Sequence, residues 1–245
     1  MAKDDDCIML IFKDLVSTRI SRVTYYEMDS EQVSVFNNKV LNVKRNTNPN
    51  DFPDFVGEQM YVEVFNVFSS RENRKGSQFS KEENALEKRM EEALRPSDDP
   101  EENRKGRSFV ETLEYKNHSY DFWLSSLKRN IANHKESRRK YSADEKESVF
   151  LAHYTQKVLS YKDENGNEQW HSLGDDRKAL SIIADELDGL IDYFVLFNDS
   201  NSEAEVIPIS LIPSYLNKHI FPSEEFYPRE GAGMIRIGLS DTIAF

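Results

Sequence analysis

The stretch from Val62 to Phe68 (VEVFNVF) constrains the fold more than any other part of the chain. Its apolar residues fall on both faces of an extended backbone, a pattern typical of a central strand that is covered on both sides. A sheet flanked by helices provides such cover. The chain has 245 residues, which is enough for one large domain of this kind.

The remaining apolar patterns supply the other elements of such a fold. Predicted helices cover 30–43, 80–95, 120–141, 177–190 and 212–220. Predicted strands cover 8–12, 62–68, 149–155, 193–197 and 206–209. Helix and strand alternate after the first hairpin, so the order predicts an α/β fold with a mixed central sheet flanked by helices. We expect a single domain over 1–245, with a helical insertion at 70–145 that contains a polar linker at 96–107.

Composition excludes several classes of protein. The net charge of −12 argues against a protein that coats nucleic acid through bulk electrostatics, although a local basic groove remains compatible with it. The single cysteine, Cys7, excludes an internal disulfide and a cysteine-rich zinc site. No stretch approaches the ~18 apolar residues of a membrane span. The first residues, MAKDDDCIMLIF, do not resemble a signal peptide, so we expect a soluble cytoplasmic protein.

The best candidate for chemistry is a pair of carboxylates on the hairpin that opens the sheet. Asp54 begins the first strand, residues 57–59 form the turn, and Glu63 lies in the middle of the next strand. A lone carboxylate in such apolar surroundings is costly unless it is paired or bound to a metal. Carboxylates are the ligands that Mg²⁺ prefers, and Mn²⁺ is an alternative ion. The competing interpretation is that Glu63 faces an open sheet edge or pairs with an arginine.

The segments PDF (53–55) and YVEVF (61–65) resemble the PD-(D/E)xK nuclease superfamily, which has the restriction-endonuclease-like fold. The resemblance implies that Asp54 and Glu63 are Mg²⁺ ligands, with the carbonyl of Val64 completing the set. It also implies hydrolysis of DNA phosphodiester bonds, in restriction or phage defence. The family has a lysine where this chain has Phe65.

Variants of the fold supply that lysine from a nearby helix. Lys135 on the helix at 120–141 is the candidate here, with Lys128 and Lys140 behind it. The resemblance also leaves room for a further acidic residue from the first helix, and Glu31 is the candidate.

The helix at 120–141 reverses the charge of the chain locally. Between 128 and 141 its only acidic residue is Glu136, against six cations: Lys128, Arg129, Lys135, Arg138, Arg139 and Lys140. The pattern predicts a surface that contacts phosphates, or else an ordinary solvated face or a partner for the acidic segments 91–102 and 144–147. The sequence ENRKG occurs at 72–76 and again at 102–106. Arg74 and Lys75 in the first copy are candidate DNA contacts, and two similar exposed loops are the alternative.

Two hypotheses therefore remain open. The first is a Mg²⁺-dependent endonuclease acting on DNA, with RNA as an alternative substrate. The second is a non-catalytic interaction protein on the same fold. Such a protein could use its acidic surface as a DNA mimic or as an inhibitor of a partner, or it could be a structural subunit. The histidines lack the spacing of a metal motif, and His153 is expected to be a core residue. A homodimer is the commonest assembly and is the expectation here.

Overall fold

The computed structural model describes residues 2–48, 52–73, 76–96, 108–114, 117–141, 145–154, 158–198, 201–223, 225–229 and 233–239. The helices of this part of the chain are α1 Ala2–Thr18, α2 Ser30–Leu41, α3 Gln78–Leu94, α4 Tyr120–Lys140, α5 Arg177–Leu187 and α6 Ile212–Lys218. The strands up to the insertion are β1 Val23–Tyr25, β2 Lys44–Arg45, β3 Phe55–Val56, β4 Met60–Val67, β5 Glu72–Asn73, β6 Gly76–Ser77 and β7 Ser108–Glu114. The strands that follow are β8 Glu147–Tyr154, β9 Leu159–Lys162, β10 Glu168–Trp170, β11 Tyr193–Asn198, β12 Glu203–Pro208, β13 Tyr227–Pro228 and β14 Gly233–Leu239.

A mixed sheet of seven strands forms the centre of the molecule, in the order β1-β12-β11-β8-β4-β3-β2. Strand β8 lies between β4 and β11 and is parallel to both. Strands β3 and β4 form the antiparallel hairpin that the sequence predicts, and β12 runs antiparallel beside β11. Every residue of β4 except Asn66 is buried, which confirms the prediction of a central strand covered on both faces.

Helices cover both faces of this sheet, so the α/β class and the mixed central sheet are confirmed. On one face, α1 and α2 contribute Phe12 and Phe36 to a core that includes Val62 and Val64 of β4. On the other face, α4, α5 and α6 build a core that includes Phe65. Because side chains alternate along a strand, the odd-numbered positions 61, 63 and 65 of β4 face α4.

The predicted strand at 8–12 is wrong, because this segment belongs to helix α1. Its buried residues are Ile8, Met9, Phe12, Leu15 and Val16. Their spacing follows the 3.6-residue period of a helix, and the five residues of 8–12 taken alone are too few to separate this period from that of a strand. The helices predicted at 30–43, 80–95, 120–141, 177–190 and 212–220 are present within a few residues of their predicted ends.

The segment from 70 to 145 contains strands as well as helices α3 and α4. Strand β7 pairs with β14 from the end of the chain, and α3 packs against this two-stranded sheet. Helix α4 packs instead against β4 and α5, which brings it into the main fold. The predicted linker at 96–107 lies outside the described residues from position 97 onward. Within the described residues no helix is both long and apolar enough to span a bilayer.

Candidate active site

The β3–β4 hairpin brings Asp54 and Glu63 together; we call these two residues the acid pair. The hairpin register places Phe55 opposite Val62, so Asp54 lies next to Glu63 across the two strands. The backbone N–H of Asp54 donates to Oε2 of Glu63 over 3.1 Å. The N–H of Val64 donates to Oδ2 of Asp54 over 2.9 Å. Each carboxylate is therefore held by a backbone N–H of the opposite strand, and both lie on one hairpin, as the sequence pattern predicts.

Burial and the neighbouring charge change the proton affinity of Asp54. The Asp54 side chain is 16% exposed and that of Glu63 only 8%. Burial, and then the nearby charge of Glu63, raise the pKa of Asp54 from 3.8 to about 6, although the Val64 N–H and Arg45 act in the opposite direction. Two carboxylates this close repel each other when both are ionised. A bound cation would remove that cost.

His134, which was not among the predicted site residues, is the third member of this cluster. Nδ1 of His134 lies 2.5 Å from Oε1 of Glu63. The His134 ring stacks on Phe65, with 4.9 Å between the ring centroids and 22° between the planes. Phe65 is itself buried against Phe150 at 5.7 Å. At the position where the nuclease family has its lysine, this chain therefore has an aromatic surface that supports a histidine.

A signal for His134 was present in the helix pattern. Trp123, Leu127 and Ile131 are the fully buried stripe of α4, and His134 continues the same stripe at a spacing of three residues. A polar residue on the buried stripe of a helix faces the sheet rather than the solvent.

The predicted role of Lys135 is not supported by its position. Successive residues point about 100° apart around a helix, so Lys135 is turned away from the acid pair. Its Nζ lies 2.8 Å from Oε2 of Glu186 on α5. Lys135 first, and then Lys128 and Arg139, lower the pKa of Glu186. These three cations therefore surround an acidic residue of α5, a partner that the sequence analysis did not identify.

The other predicted phosphate contacts differ in their surroundings. Arg138 donates to the carbonyl of Tyr141 over 2.9 Å and lies above the Tyr61 ring. Arg139 also pairs with Glu136 of its own helix at 2.7 Å. Arg129 and Lys140 are exposed, Lys140 at the last residue of α4. Arg74 and Lys75 lie outside the described residues.

The side chain of Arg45 also approaches the pair. Nη2 of Arg45 lies 3.8 Å from Oδ1 of Asp54, and the same guanidinium lies 3.5 Å from Asp5 of α1. The alternative interpretation paired Glu63 with an arginine. In the structure Glu63 contacts His134, and the nearby arginine, Arg45, approaches Asp54. Glu31 does not join the site, because it belongs to helix α2, which packs on the opposite face of the sheet.

A second carboxylate–histidine contact lies at the start of α5. Asp176 is the N-cap of this helix, and its Oδ1 accepts from the N–H of Ala179 over 2.9 Å. His171 and Tyr120 contact the same carboxylate at 2.8 Å and 2.7 Å. His153 is a buried core residue, as predicted, and its Nδ1 lies 2.7 Å from Oδ1 of Asn66.

The acid pair supplies only part of a metal coordination shell. In the described part of the chain, no group of three or more His, Cys, Asp or Glu side chains is arranged to hold a metal ion. Mg²⁺ is commonly bound by one or two carboxylates, with water and substrate phosphate as the other ligands, so two carboxylates are a sufficient protein contribution.

Comparisons with protein-family models, with curated proteins and with solved structures give no match to this chain.

Proposed function

We propose that the acid pair is the centre of a metal-dependent nuclease that hydrolyses DNA phosphodiester bonds. The observation that carries this proposal is the side-by-side arrangement of two largely buried carboxylates, one of which has a pKa raised to about 6. This arrangement is unfavourable for the protein alone and favourable around a divalent cation. Perturbed carboxyl groups of this kind concentrate at functional sites.

The order of the elements supports the same proposal. An aspartate precedes β3, a glutamate lies in the central strand β4, and helix α4 packs on β4 before the chain returns in the parallel strand β8. The restriction-endonuclease-like core that the sequence resembles has a similar order. We therefore propose that this chain has the restriction-endonuclease-like core fold.

In the proposed site, Asp54, Glu63 and the carbonyl of Val64 would hold Mg²⁺ or Mn²⁺. The bound ion would lower the pKa of a water molecule and offset charge on the phosphate. His134 holds Oε1 of Glu63 through Nδ1, which orients the carboxylate and leaves Nε2 as the ring nitrogen for water or a phosphate oxygen. We assign to His134 the role that the sequence suggested for Lys135.

Specific observations favour a second candidate, a non-catalytic acidic interaction protein on this fold. Phe65 replaces the lysine, Lys135 is engaged by Glu186, and the His134 ring already occupies one oxygen of Glu63. In this case the acid pair and His134 are a structural cluster that binds no metal. The two candidates predict opposite results in one experiment.

The experiment measures cleavage of plasmid, linear duplex and single-stranded DNA with Mg²⁺, with Mn²⁺ and with EDTA. We expect metal-dependent cleavage that is lost, by a factor of about 10³ or more, in Asp54→Asn and in Glu63→Gln. Glu186→Gln is the matched control, since it removes a carboxylate from α5 without touching the acid pair. His134→Ala is expected to lower the cleavage rate by about 10²-fold or more.

A parallel measurement follows the melting temperature as Mn²⁺ is added. A ligand that binds only the folded state raises this temperature, and we expect the rise in the wild type but not in Asp54→Asn. Cleavage that persists equally in Asp54→Asn and Glu63→Gln would contradict the proposal. If the wild type neither cleaves DNA nor responds to Mn²⁺, the non-catalytic candidate is correct.

A further inference from the structure

An open cleft lies at the end of α4. Its other wall is formed by the described residues at 45–47, 52 and 56, and its volume is about 770 Å³. Arg45, which approaches Asp54, forms part of its wall, and so does Ser137, one helical turn after His134. The cleft and the acid pair therefore share a wall. A polymer bound at the acid pair would extend into this cleft.

Two aromatic side chains line the cleft and are held in place from behind. Phe52 and Tyr141 are half-buried, and their ring centroids lie 5.5 Å apart. Both rings pack edge-on against the buried Tyr61, at 5.8 Å and 5.4 Å. This packing fixes the rings before any ligand arrives, so a base that stacks on them need not order them first. Aromatic side chains fixed in this way are the usual platform for unpaired bases.

The charges of the cleft suit a phosphate backbone. The described residues that line it include Arg45 and Lys140 and no carboxylate. By contrast, a cavity of about 300 Å³ under β1 and β12 is lined by Glu203 and Glu205. Arg45 is already shared with Asp54, so the exposed Lys140 is the cation that a backbone phosphate would meet first. In a chain of net charge −12, this cleft is a local site for a polyanion.

We infer that the cleft binds an unpaired nucleotide next to the scissile phosphate, and that the substrate is single-stranded nucleic acid. The base lies against Tyr141 and Phe52, and the adjoining phosphate lies at Lys140. In a duplex the base faces are covered by their neighbours, so these two rings contribute nothing to binding a paired strand. The inference rests on the proposed function, because that function places the reacting phosphate at the acid pair.

Binding in EDTA tests the inference without requiring cleavage. Fluorescence anisotropy is measured with a labelled single-stranded DNA of 12 nucleotides, with RNA of the same sequence and with a 12-base-pair DNA duplex. We expect one of the single strands to bind at least tenfold more tightly than the duplex. Tyr141→Leu is expected to weaken that binding by about tenfold, because it removes the stacking surface. The matched control is Trp170→Leu, which removes a part-exposed aromatic ring outside the cleft.

A second variant covers the possibility that Tyr141→Leu disturbs the fold. Lys140→Gln changes an exposed side chain at the end of α4, and it should reduce the salt dependence of single-strand binding by about 0.7 in the slope of log K against log salt. Lys162→Gln, on β9, is its control. Equal or tighter binding of the duplex, or no effect of either cleft variant, would overturn the inference. Single-strand binding that depends on the cleft, without metal-dependent cleavage, would instead sustain the cleft as a site for an unpaired nucleotide and refute both the proposed nuclease activity and the scissile phosphate beside it.

Discussion

Two of the carboxylate–histidine clusters in the described part of the chain have opposite balances of donors and charge. At the start of α5, one carboxylate, Asp176, accepts from Tyr120 and Ala179 and contacts His171, and the Asp176 and His171 side chains are fully buried. In the acid pair, two carboxylates share their surroundings, and one has its pKa raised to about 6. The first cluster satisfies a carboxylate, whereas the second has more negative charge than its neighbours compensate. The difference separates a structural use of these residues from the functional use that we propose for the acid pair.

The largest expected effect tests the structural cluster. Asp176→Ala should lower the free energy of unfolding by about 3–5 kcal/mol, because it leaves buried polar groups of Tyr120 and His171 without their partner and removes the cap of α5. Urea denaturation measures the change. Asp176→Asn keeps an acceptor for the cap and should lose less. A loss below about 1 kcal/mol for Asp176→Ala would remove the contrast between the clusters.

An intermediate effect of opposite sign is expected in the acid pair. Asp54→Asn should stabilise the protein at pH 7 in the absence of divalent metal, because it removes a charge that burial and Glu63 both penalise. A pKa shift of about two units corresponds to at most about 3 kcal/mol, and partial exposure reduces the expected gain to roughly 1–2 kcal/mol. Urea denaturation at several pH values measures the gain.

The pH dependence identifies the cause of this gain. The folded state holds the Asp54 proton more tightly than the unfolded state, so this group contributes stability below about pH 4 that is lost as the pH rises through about 6. Asp54→Asn lacks this loss, so its advantage should grow between pH 4 and 6 and stay constant above that range. An advantage that does not change with pH would assign it to packing instead.

The smallest effect concerns the lysine that the sequence favoured. Lys135→Ala should change the free energy of unfolding by no more than about 0.5 kcal/mol, because its partner Glu186 is partly exposed. DNA cleavage by this variant should stay within about twofold of the wild type, in contrast to His134→Ala. A loss of cleavage in Lys135→Ala that equals the loss in His134→Ala would restore the lysine to the site.

The features that sequence predicts well here depend on neighbouring residues. The hairpin, the central strand and the placement of Asp54 beside Glu63 follow from a turn and two short apolar runs. His134 was not predicted, although it continues the buried stripe of α4. Strand β7 carries no sequence signal of its partner, because β14 lies at the far end of the chain.

The partners of the charged residues do not follow from the sequence. The basic stretch of α4 has the pattern of one cationic surface, although its members point in different directions around the helix. Lys135 faces Glu186, Arg138 lies above the Tyr61 ring, and Lys140 lines the cleft. Composition reports how many cations a helix has, but the packing of that helix decides which of them meet a ligand. The Arg45 contact with Asp54 likewise depends on the pairing of β2 with β3.

The two contacts of Glu63 differ in sequence separation, which bears on the order in which they form during folding. Its contact with the Asp54 backbone spans 9 residues, whereas its contact with His134 spans 71. Short loops close faster than long ones, so we expect the two carboxylates to meet before His134 of α4 packs on Phe65. During synthesis, a chain that ends before α4 already contains both acids and lacks the histidine. The proposed chemistry therefore becomes available only when the insertion between β4 and β8 has folded back onto the sheet.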